Sequence, residues 1–447
     1  MKKYSIFHAL AICISSTALC ACGGGGNDNQ FPITTSLEIS PVITSTWAGG
    51  PTITLQASAN GGSPTSWSID AGPGALSGSA NQVRYEVNDG YSTSNDKATI
   101  SVRAGMASAS ATVYVNFAPT SRFNFLHGGG IVEDYLGNIY VSDARNNVIR
   151  KITRDGNVST FAGTGVAGLI DGPSGAAKFN QPGGLAIAGN GDIIVADVKN
   201  NAIRRIDGNG NVSTIAGNGL PGDMDGPVNI ATFGEPNAVA TDFSGNIYIA
   251  DTDNHAIRKI DGSGIVSTFA GAAAPGYLDG DRTQSQFNGP RGIATDNLGN
   301  VYVADSGNNT IRKIRTDGTV ITVAGGTAMA TESTTPPFDF PTGIAVTAAG
   351  LAVADSGNAQ IRLISLDGRS IINIGGQPKV VGDEDGYSIK SKYSFPTSIS
   401  SSRLGSILVV DSLNNKIRAI ENGTWVSRTI GGSSSESGFV NGTALPR

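Results

Sequence analysis

Short apolar runs recur along residues 122–447, and each of these runs ends in an aspartate. One run is Gly245-Asn-Ile-Tyr-Ile-Ala-Asp251, and the equivalent aspartates follow one another at intervals of 54, 54, 54, 50 and 56 residues. A second apolar run follows each aspartate, as at 256–260, and a Val-Ser-Thr-Phe-Ala-Gly segment closes the unit, as at 266–271. A Phe-x-x-Pro-x-Gly-Ile-Ala segment, as at 287–294, opens it. The pattern predicts six units of four short strands, A to D in chain order, and therefore a six-bladed β-propeller rather than a solenoid.

The strands of these units are nearly continuous apolar runs, which a propeller explains. Both faces of a blade pack on neighbouring blades, so no face of the strand needs polar residues. The first unit begins with strand A, and the sixth ends after strand D. We therefore expect the ring to close by packing strand D of blade six against strand A of blade one, rather than by a strand shared between the two ends.

Residues 36–117 show a different pattern, in which apolar and polar residues alternate over short runs. Examples are Thr52-Ile-Thr-Leu-Gln-Ala57 and Gln82-Val-Arg-Tyr-Glu-Val87. Turns rich in Gly, Pro, Asn and Ser separate about seven such runs, which indicates a small β-sandwich with Trp67 in its core. The segment has no cysteine and resembles a bacterial immunoglobulin-like domain, which implies a spacer. The predicted fold class is all-β: a six-bladed propeller over 122–447, preceded by a small immunoglobulin-like β-sandwich.

The first 21 residues have the features of an export signal. Two lysines precede an apolar stretch from Tyr4 to Leu19 that is too short for a stable membrane span. The stretch ends in Leu19-Cys20-Ala21-Cys22, which resembles a bacterial lipobox. The resemblance implies that residues 1–21 are a lipoprotein signal peptide, that Cys22 is lipidated, and that the protein is anchored in the outer membrane, facing the periplasm or the cell surface. Residues 22–35 would then be a flexible tether, and the alternative is an ordinary secretory signal.

Composition and charge exclude several classes of protein. Among 447 residues, the 61 glycines have no strict period of three, which excludes collagen. A hydrophobic fraction of 39% excludes wholesale disorder. The formal net charge is −5 and no basic block follows the two N-terminal lysines, so nothing suggests a nucleic-acid partner. The three cysteines are Cys13, Cys20 and Cys22, so a chain lipidated at Cys22 would have neither a disulfide nor a cysteine metal site.

The repeated unit is similar to the NHL repeat family. The pattern that carries the resemblance is Pro-x-Gly-Ile-Ala, then Gly-Asn-x-Tyr-Val-Ala-Asp-x-x-Asn-Asn-x-Ile-Arg-Lys-Ile, and it extends over 122–447. The resemblance implies a propeller that binds a ligand or a protein, in the long-linker form common in bacterial surface proteins. Related six-bladed propellers include metal-dependent lactonases and lyases, which leaves a catalytic alternative open.

Each unit also contains an arginine seven residues after its aspartate. In an antiparallel hairpin, we expect this spacing to set the two side chains opposite each other. Aspartate can also accept hydrogen bonds from turn amides. Because an enzyme site on a propeller is built from only a few blades, six copies of the pair indicate architecture, with ligand binding as the alternative. The pairs are Asp143/Arg150, Asp197/Arg204, Asp251/Arg258, Asp305/Arg312, Asp355/Arg362 and Asp411/Arg418.

Two kinds of loop could in principle bind a ligand. The segments 163–168 and 217–222 match Gly-x-Gly-x-x-Gly, but an Asp-Gly turn and a strand follow them, whereas a phosphate loop needs a helix. Other loops carry carboxylates that could bind calcium, although Asp-Gly is also a common turn signal. None has the full spacing of a calcium-binding loop. The best candidates for calcium are Asp223, Asp225, Asp383, Glu384 and Asp385.

Histidine usage argues against two kinds of catalytic site. Of three histidines, His8 lies in the predicted signal, and His127 and His255 lie in different units, so a zinc site with three histidines cannot form. A Ser-His-Asp triad is also not indicated, because the sequence has no Gly-x-Ser-x-Gly turn to present the serine. A carboxylate-only metal site would need an acid where strand A begins at the channel, and Glu133 and Glu235 are out of register. The aligned positions are Gly129, Gly183, Asn237, Arg291, Thr342 and Thr397, so we predict no metal and no cofactor.

Two functions remain after these exclusions. The first is a non-catalytic surface lipoprotein whose propeller binds a protein or glycan ligand, and the second is a metal-dependent hydrolase or lyase of the lactonase type. Function should lie where the blades differ, and Arg291 is the only charged residue among the aligned positions. We expect an anionic or polyhydroxylated ligand to bind over Asn237 and Arg291, with Thr342 and Thr397 on the same ring, unless Arg291 merely lines a water-filled channel. The chain is expected to be a monomer that touches the membrane only through its lipid anchor.

Overall fold

The computed structural model of the protein describes residues 37–443 apart from 41–42, 48–52, 60–65, 72–74, 80–81, 87–95, 105–106, 117–120, 126–128, 327–336, 434–437 and 439. The chain divides into two compact units after Ala118. The predicted signal peptide, Cys22 and the tether lie outside the described residues. Among those described, no helix combines the length and apolarity needed to cross a membrane.

The first unit consists of two four-stranded sheets. Strand β2 runs parallel to β8 and the other pairs are antiparallel. Ile100 and Val102 are fully buried, and Trp67 is half-buried. The immunoglobulin-like assignment stays a prediction. In sheet order the strands are β1 (Leu37–Ser40), β3 (Ile53–Ala59), β6 (Gln82–Glu86) and β5 (Ala75–Ser79), then β2 (Ile43–Trp47), β8 (Ala107–Asn116), β7 (Asp96–Ala104) and β4 (Ser66–Ala71).

The second unit is a six-bladed β-propeller, as the spacing of the repeats predicted. Each blade contains four consecutive antiparallel strands, A to D from the central channel outwards. Blades one to three contain β9 (Ile131–Glu133), β10 (Ile139–Asp143), β11 (Val148–Ile152) and β12 (Asn157–Ala162); β13 (Pro182–Ile187), β14 (Ile193–Asp197), β15 (Ala202–Ile206) and β16 (Val212–Ala216); and β18 (Pro236–Thr241), β19 (Ile247–Asp251), β20 (Ala256–Ile260) and β21 (Ile265–Ala270).

Blades four to six repeat the arrangement. They contain β23 (Pro290–Thr295), β24 (Val301–Asp305), β25 (Thr310–Ile314) and β26 (Thr319–Gly325); β27 (Pro341–Thr347), β28 (Gly350–Asp355), β29 (Gln360–Ile364) and β30 (Ile371–Gly375); and β32 (Pro396–Ser401), β33 (Ile407–Asp411), β34 (Lys416–Ile420) and β35 (Val426–Gly432).

The apolar cores lie between neighbouring blades, so strand B of every blade is buried on both faces. All five residues of β19 are buried, for example. Ala250 and Ile257 pack with Phe287 and Val303 of the next blade, whereas Ile249 packs with Ile203 of the preceding one. Two-sided burial therefore accounts for the nearly continuous apolar runs of the sequence.

A short outer strand precedes strand A in several blades. These strands pair with strand D of their own blade, and the chain then crosses to the channel to begin strand A. In blade two the same place is taken by a single bridge between Gly172 and Val212. The outer strands are β17 (Gly226–Pro227), β22 (Gly280–Asp281) and β31 (Gly386–Tyr387).

The predicted closure of the ring is wrong, because the two ends of the repeat region share a blade. Strand β36 (Gly442–Thr443) pairs with β12 and becomes the fifth, outermost strand of blade one. Val440, two residues before this strand, forms a bridge with Arg122. Blade one begins at strand A and has no preceding linker to supply an outer strand. The segment that follows blade six supplies it instead.

The innermost strands approach one another closely where the Pro-x-Gly motif places glycine. A Cβ atom on Gly292 would lie 2.2 Å from the carbonyl oxygen of Thr342, and one on Gly343 would lie 2.7 Å from that of Thr397. Any side chain at these positions would push neighbouring blades apart. The motif therefore sets the width of the channel.

Candidate functional site

The structure brings the two members of every Asp/Arg pair together as a buried ion pair. The distances between guanidinium nitrogen and carboxylate oxygen range from 2.7 Å for Arg204–Asp197 to 3.2 Å for Arg150–Asp143. Every one of these carboxylates is fully buried. The remaining pairs are Arg258–Asp251, Arg312–Asp305, Arg362–Asp355 and Arg418–Asp411.

The members of each pair are diagonal neighbours, not opposite neighbours as the spacing suggested. Asp197 is opposite Ala202 in the ladder, and Arg204 is opposite Val195. The turn between the strands contains four residues, which moves the register by two positions. Both side chains still lie on one face of the blade, and the long arginine side chain spans the diagonal.

Each arginine makes further contacts that the sequence analysis missed. Arg204 Nη2 donates to Asp171 Oδ1 at 2.7 Å and to the Ile170 carbonyl, and its guanidinium lies 5.2 Å from the centre of the Phe179 ring. Asp171 is the aspartate of an Asp-Gly loop, and Phe179 opens the Phe-x-x-Pro motif. The same outer aspartate bonds to its arginine in blades three, four and six, through Asp225, Asp279 and Asp385.

The outer aspartates form ion pairs with the repeated arginines, so their carboxylate oxygens are already bonded where calcium would need them. Partial burial raises the pKa of the Asp171 carboxyl, but hydrogen bonds from Thr214 and Arg204 outweigh it and hold the pKa below its ordinary value. Of the calcium candidates, Asp225 and Asp385 bond to arginine, Asp383 to Lys416 and Glu384 to Lys392. Over the described parts of the chain, no three His, Cys, Asp or Glu side chains form a group that could hold a metal ion. The two Gly-x-Gly-x-x-Gly segments lie in D-to-A connections, and no helix follows either one.

Four of the six turns contain two neighbouring asparagines after the aspartate, and the two have different hydrogen-bond partners. Asn200 Nδ2 donates to Asp197 Oδ2 at 2.8 Å and to the Gly168 carbonyl, which ties the turn to the D-to-A connection. Asn201 is left-handed, with φ of 46°, and its Oδ1 accepts from the Glu235 amide of the next blade at 2.9 Å. In blade three His255 Nδ1 accepts from the Gly289 amide in the same way, so that histidine links blades. The equivalent bonds are Asn147 to Gln181, Asn309 to Phe340 and Asn415 to Phe125.

Removing one link between blades should have a measurable cost. We expect Asn147→Ala to lower the free energy of unfolding by about 1–2 kcal/mol, because alanine fits the left-handed conformation poorly and the Gln181 amide loses its acceptor. Denaturant unfolding followed by circular dichroism measures the change. Asn209→Ala, at an exposed turn position, should leave stability unchanged, and an equal loss in both variants would contradict a special role for Asn147.

The six aligned positions where strand A begins, five of which follow a proline, meet around the central channel. The channel has a volume of about 310 Å³ and is lined by the innermost strands of all six blades. Strand A begins at the face that also carries the turns between strands B and C, and we call this end of the channel the mouth. Its ring consists of Gly129, Gly183, Asn237, Arg291, Thr342 and Thr397.

The two threonines of the ring belong largely to the contacts between blades. Thr342 is buried, and its hydroxyl donates to the Thr397 carbonyl at 2.8 Å and lies 2.6 Å from the Ser356 hydroxyl. Thr397 is also buried, and within the described residues its hydroxyl has no hydrogen-bond partner. Asn237 and Arg291 are half-buried at the mouth and are the better placed to meet a ligand.

Arg291 differs from the six repeated arginines in having no carboxylate bonded to it among the described residues. Within the described residues its guanidinium makes no hydrogen bond and no ion pair, and its one recorded contact is with the Phe340 ring, whose centre lies 5.2 Å away. Burial lowers the pKa of Arg291, and the negative charges of Glu235 and Asp253 oppose that shift. Arginine stays charged at neutral pH. The mouth therefore holds a partly desolvated cation.

Of the residues around Arg291, Glu235 was named from the sequence only as an acid out of register with the aligned positions, and Phe340 and Phe395 were not named. Glu235 forms an ion pair with Lys199. Phe340 and Phe395 come directly before the strand-A proline, and their ring centres are 6.3 Å apart. The two phenylalanines could have been identified because the position before the strand-A proline varies between blades. It holds Gln181, Glu235 and Gly289 in blades two to four.

The comparisons with known proteins agree with this fold. The NHL repeat model matches residues 179–206 and 287–314, so the chain carries NHL repeats in blades two and four. The chain is 30% identical over 172 residues to protein SUPPRESSOR OF QUENCHING 1, chloroplastic, of Arabidopsis thaliana, which covers 36% of this chain and 16% of that protein. It is 31% identical over 216 residues to teneurin-3 of Danio rerio, and the match covers 42% of this chain and 8% of teneurin-3. The chain thus spans less than a fifth of the length of these curated relatives.

A solved structure from Bacteroides thetaiotaomicron, a structural genomics protein of unknown function, is similar over 91% of this chain and 99% of its own length. Its identity to this chain is 15%, with a TM-score of 0.49.

Proposed function

We propose that the propeller is a non-catalytic ligand-binding module and that its ligand carries an anionic group held at the channel mouth by Arg291. The observation that carries the proposal is the guanidinium of Arg291, which is partly desolvated and has no carboxylate bonded to it among the described residues. The six repeated arginines all bind aspartate. Burial deprives a cation of part of its hydration energy, and the attraction of a bonded anion can offset that cost.

Chemistry and access both favour an anion at this place. The planar guanidinium can donate two parallel hydrogen bonds to a carboxylate or phosphate. Asn237 begins the neighbouring innermost strand and can supply one further donor and one acceptor. Below the mouth, the channel is lined by aliphatic residues such as Val239, Ile293 and Ile344, which would contact the apolar part of a ligand.

Replacing the cation should remove binding. We expect Arg291→Gln to weaken binding of an acidic ligand by about tenfold to a hundredfold, because one bidentate charged contact is lost. The measurement is calorimetric titration of the full chain with a panel of small carboxylates, together with an array of acidic and neutral glycans.

The matched control is Arg369→Gln, since Arg369 is 88% exposed and lies in a turn at the opposite end of its blade. That variant should bind every probe as the unchanged protein does. An acid that binds equally well after Arg291→Gln would contradict the proposal. Turnover of a lactone with a bound metal ion, measured by product formation and metal content, would favour the hydrolase alternative instead.

We also propose that Cys22 carries a lipid that anchors the protein in the outer membrane. The support is the sequence Leu19-Cys20-Ala21-Cys22 and the glycines that follow it. We expect Cys22→Ala to move the protein from the membrane fraction to the soluble fraction and to abolish palmitate labelling. Cys20→Ala should remain in the membrane, and processing that globomycin does not inhibit would contradict the proposal.

A further inference from the structure

Four consecutive blades present different chemistry around the mouth. Asp253 lies in the turn after β19 of blade three, whose Thr252 bonds to the Pro290 carbonyl just before Arg291 of blade four. The ring of Phe340 from blade five contacts Arg291, and the ring of Phe395 from blade six lies next to that of Phe340. The repeated arginines and their aspartates are absent from this set, because they are used inside the blades. The sector therefore consists of groups that vary between blades.

The aromatic side of the sector is held in an unusual backbone conformation. Phe340 and Phe395 have φ of 52° and 51°, in the left-handed region, where Gly289 stands at the same position of blade four. A bulky residue is rare there because its Cβ crowds the backbone. Both rings are only half-buried, and Phe340 faces Arg291. Each phenylalanine thus occupies a strained position and still leaves ring surface exposed at the mouth.

The acidic side of the sector has one carboxylate that the protein does not neutralise by contact. Glu235 is paired with Lys199. Asp253 is exposed, and among the described residues its carboxylate makes no hydrogen bond and no ion pair. Partial burial and the neighbouring charge of Glu235 raise the pKa of Asp253, while Lys199, Arg291 and His255 oppose that shift. Thr252 Oγ1 donates to the Pro290 carbonyl at 2.7 Å, so the residues directly before Asp253 and Arg291 are in contact and the two charged side chains are neighbours at the mouth. Among the described residues, no ion pair joins them.

Two opposite charges that are near but not bonded suit a ligand that carries both charges itself. A purely anionic ligand would be attracted by Arg291 but repelled by Asp253. An amine would be attracted by Asp253 but repelled by Arg291. A zwitterion bonds to both groups at once, and its apolar substituent can then cover the exposed ring surface.

We propose that the mouth binds an α-amino acid with an aromatic side chain, with the carboxylate on Arg291, the ammonium on Asp253 and the ring against Phe340 and Phe395. This inference rests on the proposed function, because it assigns the ligand class of the same site. The bound molecule is held without any covalent change.

The experiment titrates the full chain with four probes that differ by one group each. L-phenylalanine has all three groups, 3-phenylpropionate lacks the ammonium, 2-phenylethylamine lacks the carboxylate, and L-alanine lacks the ring. L-phenylalanine should bind most tightly, and each truncated probe should bind about tenfold or more weakly, because one charged or aromatic contact is missing.

Variants of the protein test each contact separately. Asp253→Asn should weaken L-phenylalanine about tenfold and leave 3-phenylpropionate unchanged or slightly tighter, because the repelling charge is gone. Phe340→Leu should weaken both aromatic acids and leave L-alanine unchanged. Arg369→Gln serves again as the matched control, and thermal melting of every variant shows that it is folded.

The outcomes distinguish this inference from the proposed function. If 3-phenylpropionate binds as tightly as L-phenylalanine and Asp253→Asn changes neither, the amino-acid assignment is wrong while anion binding at Arg291 stands. The same holds if L-phenylalanine fails to bind at millimolar concentration but another acid of the panel binds and is lost in Arg291→Gln. If every bound probe is unaffected by Arg291→Gln, both proposals fail.

Discussion

Deleting residues 438–447 should lower the free energy of unfolding by about 3–5 kcal/mol, because several buried polar groups of blade one lose their partners together. Arg150 would lose its bonds to the Val440 carbonyl at 2.7 Å and to Asn441 Oδ1 at 3.0 Å. Asn146 would lose the Gly438 carbonyl, and β12 its outer neighbour. Denaturant unfolding of the full and shortened chains measures the difference.

Two point variants show whether the loss comes from these bonds. Asn441→Ala removes one side-chain partner of Arg150 and should cost about 1 kcal/mol. Asn441→Asp should instead stabilise the protein, because it places at blade one the aspartate that Asp171, Asp225, Asp279 and Asp385 provide elsewhere. Closure does not depend on this segment if the shortened chain unfolds at the same denaturant concentration as the full chain.

The second large effect is expected from the inner aspartate of a blade. Asp251→Ala should lower the free energy of unfolding by about 3–5 kcal/mol, since three donors each lose a buried acceptor and Arg258 keeps only one carboxylate, the half-exposed one of Asp225. The lost donors are the Gly234 amide at 2.7 Å, Asn254 Nδ2 at 2.8 Å and Arg258 Nη1 at 2.9 Å. Thermal and denaturant unfolding measure the change.

The matched variant replaces the outer carboxylate on the same arginine. Asp225 is 48% exposed, so Asp225→Ala should cost only about 1 kcal/mol. Water can replace a half-exposed carboxylate but not a buried one. If Asp251→Ala melts like the unchanged protein and instead loses ligand, the structural role of the pair is wrong.

The blade count and the positions of the mouth ring could be predicted because they depend on local pattern. A blade consists of four consecutive strands, so one continuous segment of about fifty residues contains all of its apolar runs and turns. Once Asp197, Asp251 and Asp305 are aligned, the residues after the strand-A prolines fall into register without further information. Pro182, Pro236 and Pro290 are paired with these aspartates in the sheets. Aligning the aspartates therefore also aligns the residues after the prolines.

The contacts that connect blades could not be predicted in the same way. Asn201 and Asn309 each accept a hydrogen bond from an amide of the next blade, and nothing in the sequence of their own turns indicates that partner. The Asp-Gly loops resembled possible calcium sites because nothing in their own sequence shows an arginine 33 residues ahead, as for Asp225 and Arg258.

The sequence by itself determined the strands, the six-fold repetition and which positions vary around the channel, because these follow from local periodicity and turn chemistry. Only the tertiary structure decided that the C-terminal segment completes blade one, since Arg150 and Asn441 are 291 residues apart. Only the tertiary structure showed that Arg291, unlike the six repeated arginines, has no carboxylate bonded to it among the described residues. All seven are the same residue type in apolar surroundings, and what distinguishes them is whether the packed neighbours bring a carboxylate within bonding distance. That depends on how the blades meet, which local pattern does not encode.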